Sequence, residues 1–208
     1  EFTGFDLEMA AEVAKRLNLM IAYQPIAWDA KDMELDAGTI DCIWNGFTMN
    51  GREDDYEWSK PYMKNNQVFV VRGDSDINSE ADLAGKNVEV QTDSSAEAAL
   101  NDNSELTSTF GSLTPVADYN TAFMDLESGA VDAIAMDDVV ASYQITSRKA
   151  DFKVLDDVIA AEEYGIGFKK GNTGLRDKVQ ATLEEMAADG TAAKISEKWF
   201  GKDITTIQ

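Results

Sequence analysis

A ten-residue phrase occurs twice in this chain and restricts the folds open to it. It begins at Glu34 as ELDAGTIDCI and again at Asp125 as DLESGAVDAI. Each copy contains the end of an amphipathic segment, a glycine of the kind that ends helices (Gly38 and Gly129), and a short apolar run typical of a buried strand. Two copies of this helix–glycine–strand pattern predict two similar units side by side, with a cleft between them.

The apolar patterns in the rest of the chain extend this interpretation. Helical spacing predicts a first helix over residues 4–19, with Asp6 as its cap, and a long helix over 173–190. The predicted strands, which are all short and rich in apolar residues, are residues 20–26, 40–44, 66–72, 87–91, 131–136, 152–156 and 164–170. Strands that alternate with helices indicate an α/β fold, with mostly parallel sheets and helices on both faces.

Composition and charge exclude several classes of function. The chain has 208 residues, of which 44% are hydrophobic, and no apolar run approaches the ~20 residues of a membrane span. Its 18 basic and 39 acidic residues give a net charge of −21. This negative charge repels phosphates, which excludes nucleic acid and anionic lipid as partners. It has no histidine and one cysteine, so Ser-His and Cys-His nucleophiles and histidine metal sites are excluded. We expect no cofactor and no metal, although carboxylates and lysines remain available for catalysis.

The segments that follow the two repeated strands are the first candidates for a site, because ligands of open α/β sheets gather beyond the carboxyl ends of strands. The first strand is followed by NGFTMNGR (residues 45–52), a glycine-containing turn with a hydroxyl and a guanidinium suited to a carboxylate. The alternative is that Arg52 pairs with the acidic residues after it. The second strand is followed by Asp137, whose carboxylate suits an ammonium group. The alternative is that Asp137 and Asp138 cap the next helix, and we expect Asp138 to do so.

Two further segments contain candidate binding residues. Ser94 and Ser95 stand between a predicted strand and a predicted helix, where backbone N–H groups and the helix dipole attract an anion, although an ordinary helix cap has the same pattern. Trp28 lies in a predicted loop, where its indole suits stacking on a ligand as well as it suits a core position. Asp29 beside it offers a polar contact or lies on the solvated surface.

Seven motifs in a fixed order resemble one known family. They are GFDLEMAAEVAKRL, IDCIWNGFTMNGRED, WSKPYM, LAGKNVEVQTDSSAEAAL, AVDAIAMDD, YGIGFKKG and ADGTAAKISEKWFG, and they cover essentially the whole chain. Together they resemble the extracytoplasmic amino-acid-binding proteins of ABC importers, the polar amino acid or family 3 solute-binding proteins. The resemblance implies a two-lobed periplasmic-binding-protein-like fold (type II) with two hinge strands. Lobe 1 is then expected at residues 1–70 and 165–208, and lobe 2 at residues 71–164.

The resemblance also implies a function without catalysis: binding of a small L-amino acid in the interlobe cleft and its delivery to the membrane permease of an ABC importer. Arg52 then binds the α-carboxylate with Thr48 and Ser95, and Asp137 binds the α-ammonium with the Gly46 carbonyl. The turn before Arg52 is one residue shorter than the common T-x-T-x-x-R form of the family. The full set of ligand-binding residues expected on these grounds is Trp28, Asp29, Asn45, Gly46, Thr48, Arg52, Gln91, Ser94, Ser95, Met136 and Asp137.

Members of the resembled family begin with a strand before GFD, and this chain starts at that motif, so we expect an N-terminal strand to be missing from lobe 1. We expect a monomer unless another chain supplies that strand. The expected location is extracytoplasmic, either periplasmic or as a cell-surface lipoprotein, with the signal or lipid anchor not present in this chain. Two alternatives on the same fold stay open: an enzyme similar to cyclohexadienyl or arogenate dehydratase, and the ligand-sensing domain of a receptor.

Overall fold

The chain forms two compact units in the computed structural model, which describes residues 2–208. One unit contains the chain up to Lys64 together with Glu162–Gln208, and the other contains Asn65–Ala161. Two long strands, β3 (Met63–Arg72) and β7 (Phe152–Phe168), carry the chain from one unit to the other. The second unit is therefore inserted into the sequence of the first, and the predicted α/β class is confirmed.

The first unit places helices around a short antiparallel sheet. Its remaining elements are α1 (Phe5–Arg16), α2 (Lys31–Ala37), β1 (Cys42–Thr48), β2 (Glu57–Trp58), α7 (Thr173–Ala188) and α8 (Thr191–Phe200). Both β1 and β2 pair antiparallel with β7, so the expected mostly parallel pairing does not extend to the described pairs of this unit. The reason is that β7 enters the unit as the continuation of a strand from the other unit, which sets its direction.

The second unit has a mixed sheet with the strand order β3, β6, β4, β5. Its elements besides β3 and β7 are β4 (Asn87–Gln91), α3 (Ser95–Asp102), α4 (Ser104–Thr107), β5 (Ser112–Val116), α5 (Tyr119–Ser128), β6 (Ala133–Asp137) and α6 (Asp138–Arg148). Strand β4 runs parallel to both β5 and β6, and β3 runs antiparallel to β6. The predicted parallel pairing is therefore correct for both pairs of β4 and does not extend to the pair of β3 with β6.

Alternation along β6 divides the core of the second unit between the two faces of its sheet. Ala133 and Ala135 belong to one buried cluster, which contains Leu100 of α3, and Ile134 and Met136 belong to another, which contains the apolar side of α5. Successive side chains of a strand point to opposite faces, so one strand supplies both clusters. Helices cover both faces, as the sequence pattern predicts.

The repeated phrase produces the same backbone turn in both units. Helix α2 ends at Gly38 with φ 76° and helix α5 ends at Gly129 with φ 80°, both in the left-handed region. In each copy the glycine N–H donates to the carbonyl three residues earlier, and the next N–H donates to the carbonyl five residues earlier. This pair of bonds defines a Schellman motif. The leucines of the two copies, Leu35 and Leu126, are buried in the cores of their units.

Three local predictions differ from the structure. Residues 20–26 have no regular secondary structure within the described chain, and Met20 is fully exposed, so the predicted strand there is wrong. The segments 152–156 and 164–168 belong to one continuous strand, β7, which ends two residues before the predicted end at residue 170. The cap of α1 is Gly4, because the carboxylate of Asp6 accepts a hydrogen bond from Tyr62 instead. Of the helices described over residues 2–208, none has both the length and the apolar character that crossing a membrane requires.

Candidate functional site

The turn after β1 brings two candidate residues of the first unit together. The backbone N–H of Arg52 donates to the Met49 carbonyl, and its guanidinium donates to the Thr48 carbonyl through Nη1 at 3.3 Å. The guanidinium carbon also lies 5.2 Å from the centre of the Phe47 ring, a cation–π distance. Since Phe47 is fully buried, it holds one side of the guanidinium against the core of this unit. Asn45, which lies within β1, is exposed.

A buried hydrogen bond fixes the side chain of Thr48. Its hydroxyl donates to Glu162 Oε2 at 2.8 Å, and the two residues are only 3% and 7% exposed. Glu162 is a site neighbour that the sequence interpretation missed, since it stands in an unremarkable acidic pair with Glu163. Its position in β7, beside the pairing of Thr48 with Tyr164, explains how a residue so distant in sequence reaches the turn.

Gly46 is held by a chain of polar contacts that begins in helix α1. The Gly46 N–H donates to the Tyr62 hydroxyl at 3.3 Å, and that hydroxyl donates to Asp6 Oδ1 at 2.7 Å. Burial raises the pKa of Asp6 to about 6, although the bond from Tyr62 opposes this change. Gly46 has φ 75°, and a Cβ there would lie 3.1 Å from Cε2 of Tyr164. Glycine is therefore required at this position for both conformation and space.

Trp28 packs against the same core as the Arg52 turn. It lies in a short 3-10 helix and contacts Phe47 edge to face, with ring centres 5.4 Å apart. The ammonium of Lys31 is 5.1 Å from the centre of the indole ring. Trp28 is partly buried and Asp29 is exposed, so the indole has both a packed side and a side near the surface.

In the second unit, the predicted helix start after β4 is confirmed. Ser94 is the N-cap of α3, and its hydroxyl accepts a hydrogen bond from the Glu97 N–H at 3.1 Å. Ser95 is the first residue of the helix, where backbone N–H groups carry partial positive charge. Its hydroxyl accepts a hydrogen bond from Gln67 at 3.0 Å.

The two aspartates after β6 have roles that differ from the expected ones. Asp137 is at the N-cap position of α6 and makes no capping hydrogen bond with its side chain, and Asp138 is the first residue of the helix. The expectation that Asp138 caps the helix is therefore wrong. The Asp137 carboxylate instead accepts two amide hydrogen bonds at Oδ1, from Asn65 at 2.8 Å and from Gln67 at 2.9 Å. Asp138 accepts one from Asn66 at 3.0 Å.

Gln67 connects the two candidate positions of the second unit and was missed in the sequence. Its side chain is fully buried, and its amide nitrogen donates to both Ser95 and Asp137. A signal was available: a glutamine directly before the apolar run of β3 is a buried polar residue that needs partners.

The remaining two candidates of this unit lie at the ends of strands. Gln91 ends β4, is partly buried, and donates from Nε2 to the Ala117 carbonyl at 3.2 Å. Met136 is fully buried in the apolar cluster beside α5 and α6, which is the position of a core residue.

Comparison with known proteins shows which family this arrangement belongs to. The bacterial extracellular solute-binding proteins of family 3 match residues 1–202. The chain belongs to this family. Its members are binding proteins and not enzymes, and their extracellular character places the chain outside the cytoplasm.

Individual relatives agree in both sequence and fold. The L-cystine-binding proteins TcyA of Bacillus subtilis (strain 168) and TcyJ of Escherichia coli (strain K12) are each 32% identical over 208 residues. These matches cover 99% of this chain and 75% and 77% of the two relatives. A crystal structure of an ABC uptake transporter substrate-binding protein from Streptococcus pneumoniae with bound histidine superposes with a TM-score of 0.95 at 32% identity, over 99% of this chain and 86% of that one. The predicted two-lobed fold type is confirmed.

Proposed function

We propose that this protein binds a small L-α-amino acid and delivers it to the permease of an ABC importer. The ligand has an ammonium and a carboxylate on one carbon, so it requires an anionic and a cationic or N–H-rich partner close together. One observation carries the proposal: Gln67 bridges the Asp137 carboxylate and the α3 N-terminus at Ser95. The two oxygens that it joins lie within roughly 6 Å of each other, given ordinary hydrogen-bond lengths.

The proposed ligand contacts are assigned residue by residue. Arg52 binds the α-carboxylate through its planar guanidinium, with help from Thr48 and Ser95, and Asp137 binds the α-ammonium. Gly46, Asn45, Ser94, Gln91, Trp28 and Asp29 complete the proposed set, and Met136 is left out because it is fully buried in the core. The bound form then docks on the permease as a monomer.

The names of the relatives supply a first ligand to test. TcyA and TcyJ are named L-cystine-binding proteins, and the similar Streptococcus protein holds histidine. We therefore propose an extracytoplasmic amino-acid receptor, periplasmic or lipid-anchored, with L-cystine as the first candidate. A thermal-shift screen with the twenty amino acids, cystine and ornithine identifies the ligand, since a true ligand raises the melting temperature as its concentration increases.

Calorimetry on two matched pairs of variants tests the site. Asp137→Asn keeps the shape of the side chain and removes its charge, and Asp138→Asn is the control one residue further. Charged hydrogen bonds contribute about 1.5–3 kcal/mol, so Asp137→Asn is expected to weaken binding by about 10- to 150-fold and Asp138→Asn by less than about twofold. Arg52→Ala is expected to abolish binding, whereas Arg148→Ala, which removes a guanidinium that stacks on Phe123, leaves it intact. Unchanged affinity in Arg52→Ala or Asp137→Asn refutes the proposed site.

The enzyme alternative has a direct assay. Incubation with prephenate produces phenylpyruvate, which is followed by its absorbance, if the protein is a dehydratase. Turnover without amino-acid binding would reject the transport-receptor proposal.

A further inference from the structure

The second unit contains a buried network of amide hydrogen bonds, made by Gln67 and Asn65, that packing alone does not explain. Gln67 and Asn65 are two residues apart in β3, on the same face of the strand, and both are buried. Both donate to the same atom, Asp137 Oδ1, which lies opposite Gln67 in the register of β3 with β6. A packing role would be met by an apolar residue, as in the Val68–Val71 run that follows.

One nitrogen atom of this network reaches two different elements. Nε2 of Gln67 has two hydrogens, and it donates to Asp137 at the end of β6 and to Ser95 at the start of α3. Buried hydrogen bonds of this kind are strengthened by the low local dielectric constant, so they hold their partners in one arrangement. The Gln67 side chain therefore joins the anionic group to the helix N-terminus and favours one separation between them.

We propose that Gln67 is a positioning residue for amino-acid binding, which sets the distance and orientation between the ammonium-binding carboxylate of Asp137 and the carboxylate-binding helix start at Ser95. This inference rests on the proposed function. Gln67 acts through its two partners, Asp137 and Ser95. Asn65 supports it as the second donor to the same carboxylate oxygen of Asp137. The inference concerns ligand affinity, because the ligand's two charged groups share one carbon and tolerate little change in the separation of their partners.

The chain supplies a matched control on the neighbouring strand position. Asn66 donates to Asp138 at 3.0 Å, so it makes the same kind of amide–carboxylate bond from β3, to the residue directly after Asp137. Asn66→Ala removes a bond of equal chemistry that has no connection to α3. A loss of affinity specific to the Gln67 variant therefore reports positioning and not a general weakening of the contacts that β3 makes where β6 ends and α6 begins.

The test is a double-mutant cycle measured by calorimetry with the best ligand of the thermal-shift screen. Gln67→Met keeps the length of the side chain and removes both hydrogen bonds, and we expect it to weaken binding by about 10- to 100-fold. Asn66→Ala is expected to weaken binding by less than about twofold. In the Asp137→Asn background, Gln67→Met is expected to cost less than about threefold, because the carboxylate that it positions has lost its charge.

Three results overturn the inference. The first is that Gln67→Met binds the ligand no differently from Asn66→Ala, and the second is that Gln67→Met loses the same factor in affinity in both backgrounds, which indicates a structural effect only. In either case the proposed function stands if Asp137→Asn still weakens binding. If the unmodified protein binds none of the ligands screened, the proposed function fails and the inference fails with it. Should Gln67→Met not fold, Gln67→Leu, which also removes both hydrogen bonds and adds no charge beside Asp137, carries the same cycle.

Discussion

Replacing Gly46 by alanine tests whether the turn before Arg52 is as constrained as its geometry indicates. Gly46 has φ 75°, and Gly38, at the end of α2 in the same unit, has φ 76°. An alanine in the left-handed region costs roughly 1–2 kcal/mol, which the lower entropy of the unfolded chain partly offsets. Gly38→Ala has nothing within 4 Å of its new Cβ, so we expect it to lower the free energy of unfolding by about 1 kcal/mol.

The alanine at Gly46 meets a second obstacle. Its Cβ would lie 3.1 Å from Cε2 and 3.3 Å from Cζ of Tyr164, whose side chain is only 2% exposed. Overpacking of this kind costs about 1–3 kcal/mol, so the total for Gly46→Ala is about 2–4 kcal/mol. A displaced turn also weakens the bond from Gly46 to Tyr62, and we expect ligand affinity to fall about tenfold, or ~1.4 kcal/mol.

Tryptophan fluorescence during urea unfolding measures the stability of the first structural unit in both variants. All the tryptophans belong to the first unit and are Trp28, Trp44, Trp58 and Trp199. The signal therefore follows the unit that contains both glycines, and a constant urea dependence makes the two midpoints comparable. Equal losses for Gly46→Ala and Gly38→Ala, with unchanged ligand affinity in both, would show that Tyr164 yields freely and that the turn is not constrained.

Two further predictions concern titrating groups. Burial raises the pKa of Asp6 from an ordinary value of about 3.9 to about 6, so the folded state retains a proton that the unfolded chain has lost. The retained proton contributes on the order of 3 kcal/mol to the free energy of unfolding. This contribution is present below a pH of about 3.9 and is lost as the pH rises through about 6. Urea unfolding from pH 4 to 7 is expected to show this fall in the unmodified protein and not in Asp6→Asn, and parallel curves would contradict the assignment. Burial, with a smaller effect of nearby Asp41, raises the pKa of the Cys42 thiol to about 12; alkylation at pH 8 is therefore expected to be on the order of a thousandfold slower in the folded protein than in urea, and equal rates would show that the thiol is not protected.

The sequence predicted the parts of the fold that rest on local chemistry. The glycines at 38 and 129 end helices because the left-handed conformation favours a residue without Cβ, and Ser94 caps α3 because its hydroxyl reaches a free N–H group. The strand predicted at residues 20–26 failed because a strand also needs a partner backbone, which periodicity does not reveal. Strand β5, with a proline at position 115, was overlooked because proline and polar residues resemble a turn, although an edge strand accepts them.

The site was less predictable than the fold for the same physical reason. Thr48, Arg52, Ser95 and Asp137 were predicted as site residues because hydroxyl, guanidinium and carboxylate groups stand near strand ends in the sequence, and their role in binding stays a prediction. Their supporting partners are distant in sequence and were missed, as with Glu162 at Thr48. A buried polar residue indicates a site only when its hydrogen-bond partner is known. That partner depends on the register of the strands, which the sequence does not reveal.

The repeated phrase separates the requirements of the scaffold from those of the ligand. Both copies end a helix in the same way and begin a buried strand, so the scaffold requires the glycine and the leucine in each unit. Beyond the strands the two copies differ: one continues into a turn that carries the guanidinium of Arg52, and the other ends at the carboxylate of Asp137. The repeated residues are those that make the helix end and the buried strand, so a change among them would disturb the core of its unit. The residues beyond each strand lie outside this shared pattern, and this is why the chemistry of a ligand can be accommodated there without a cost to the fold.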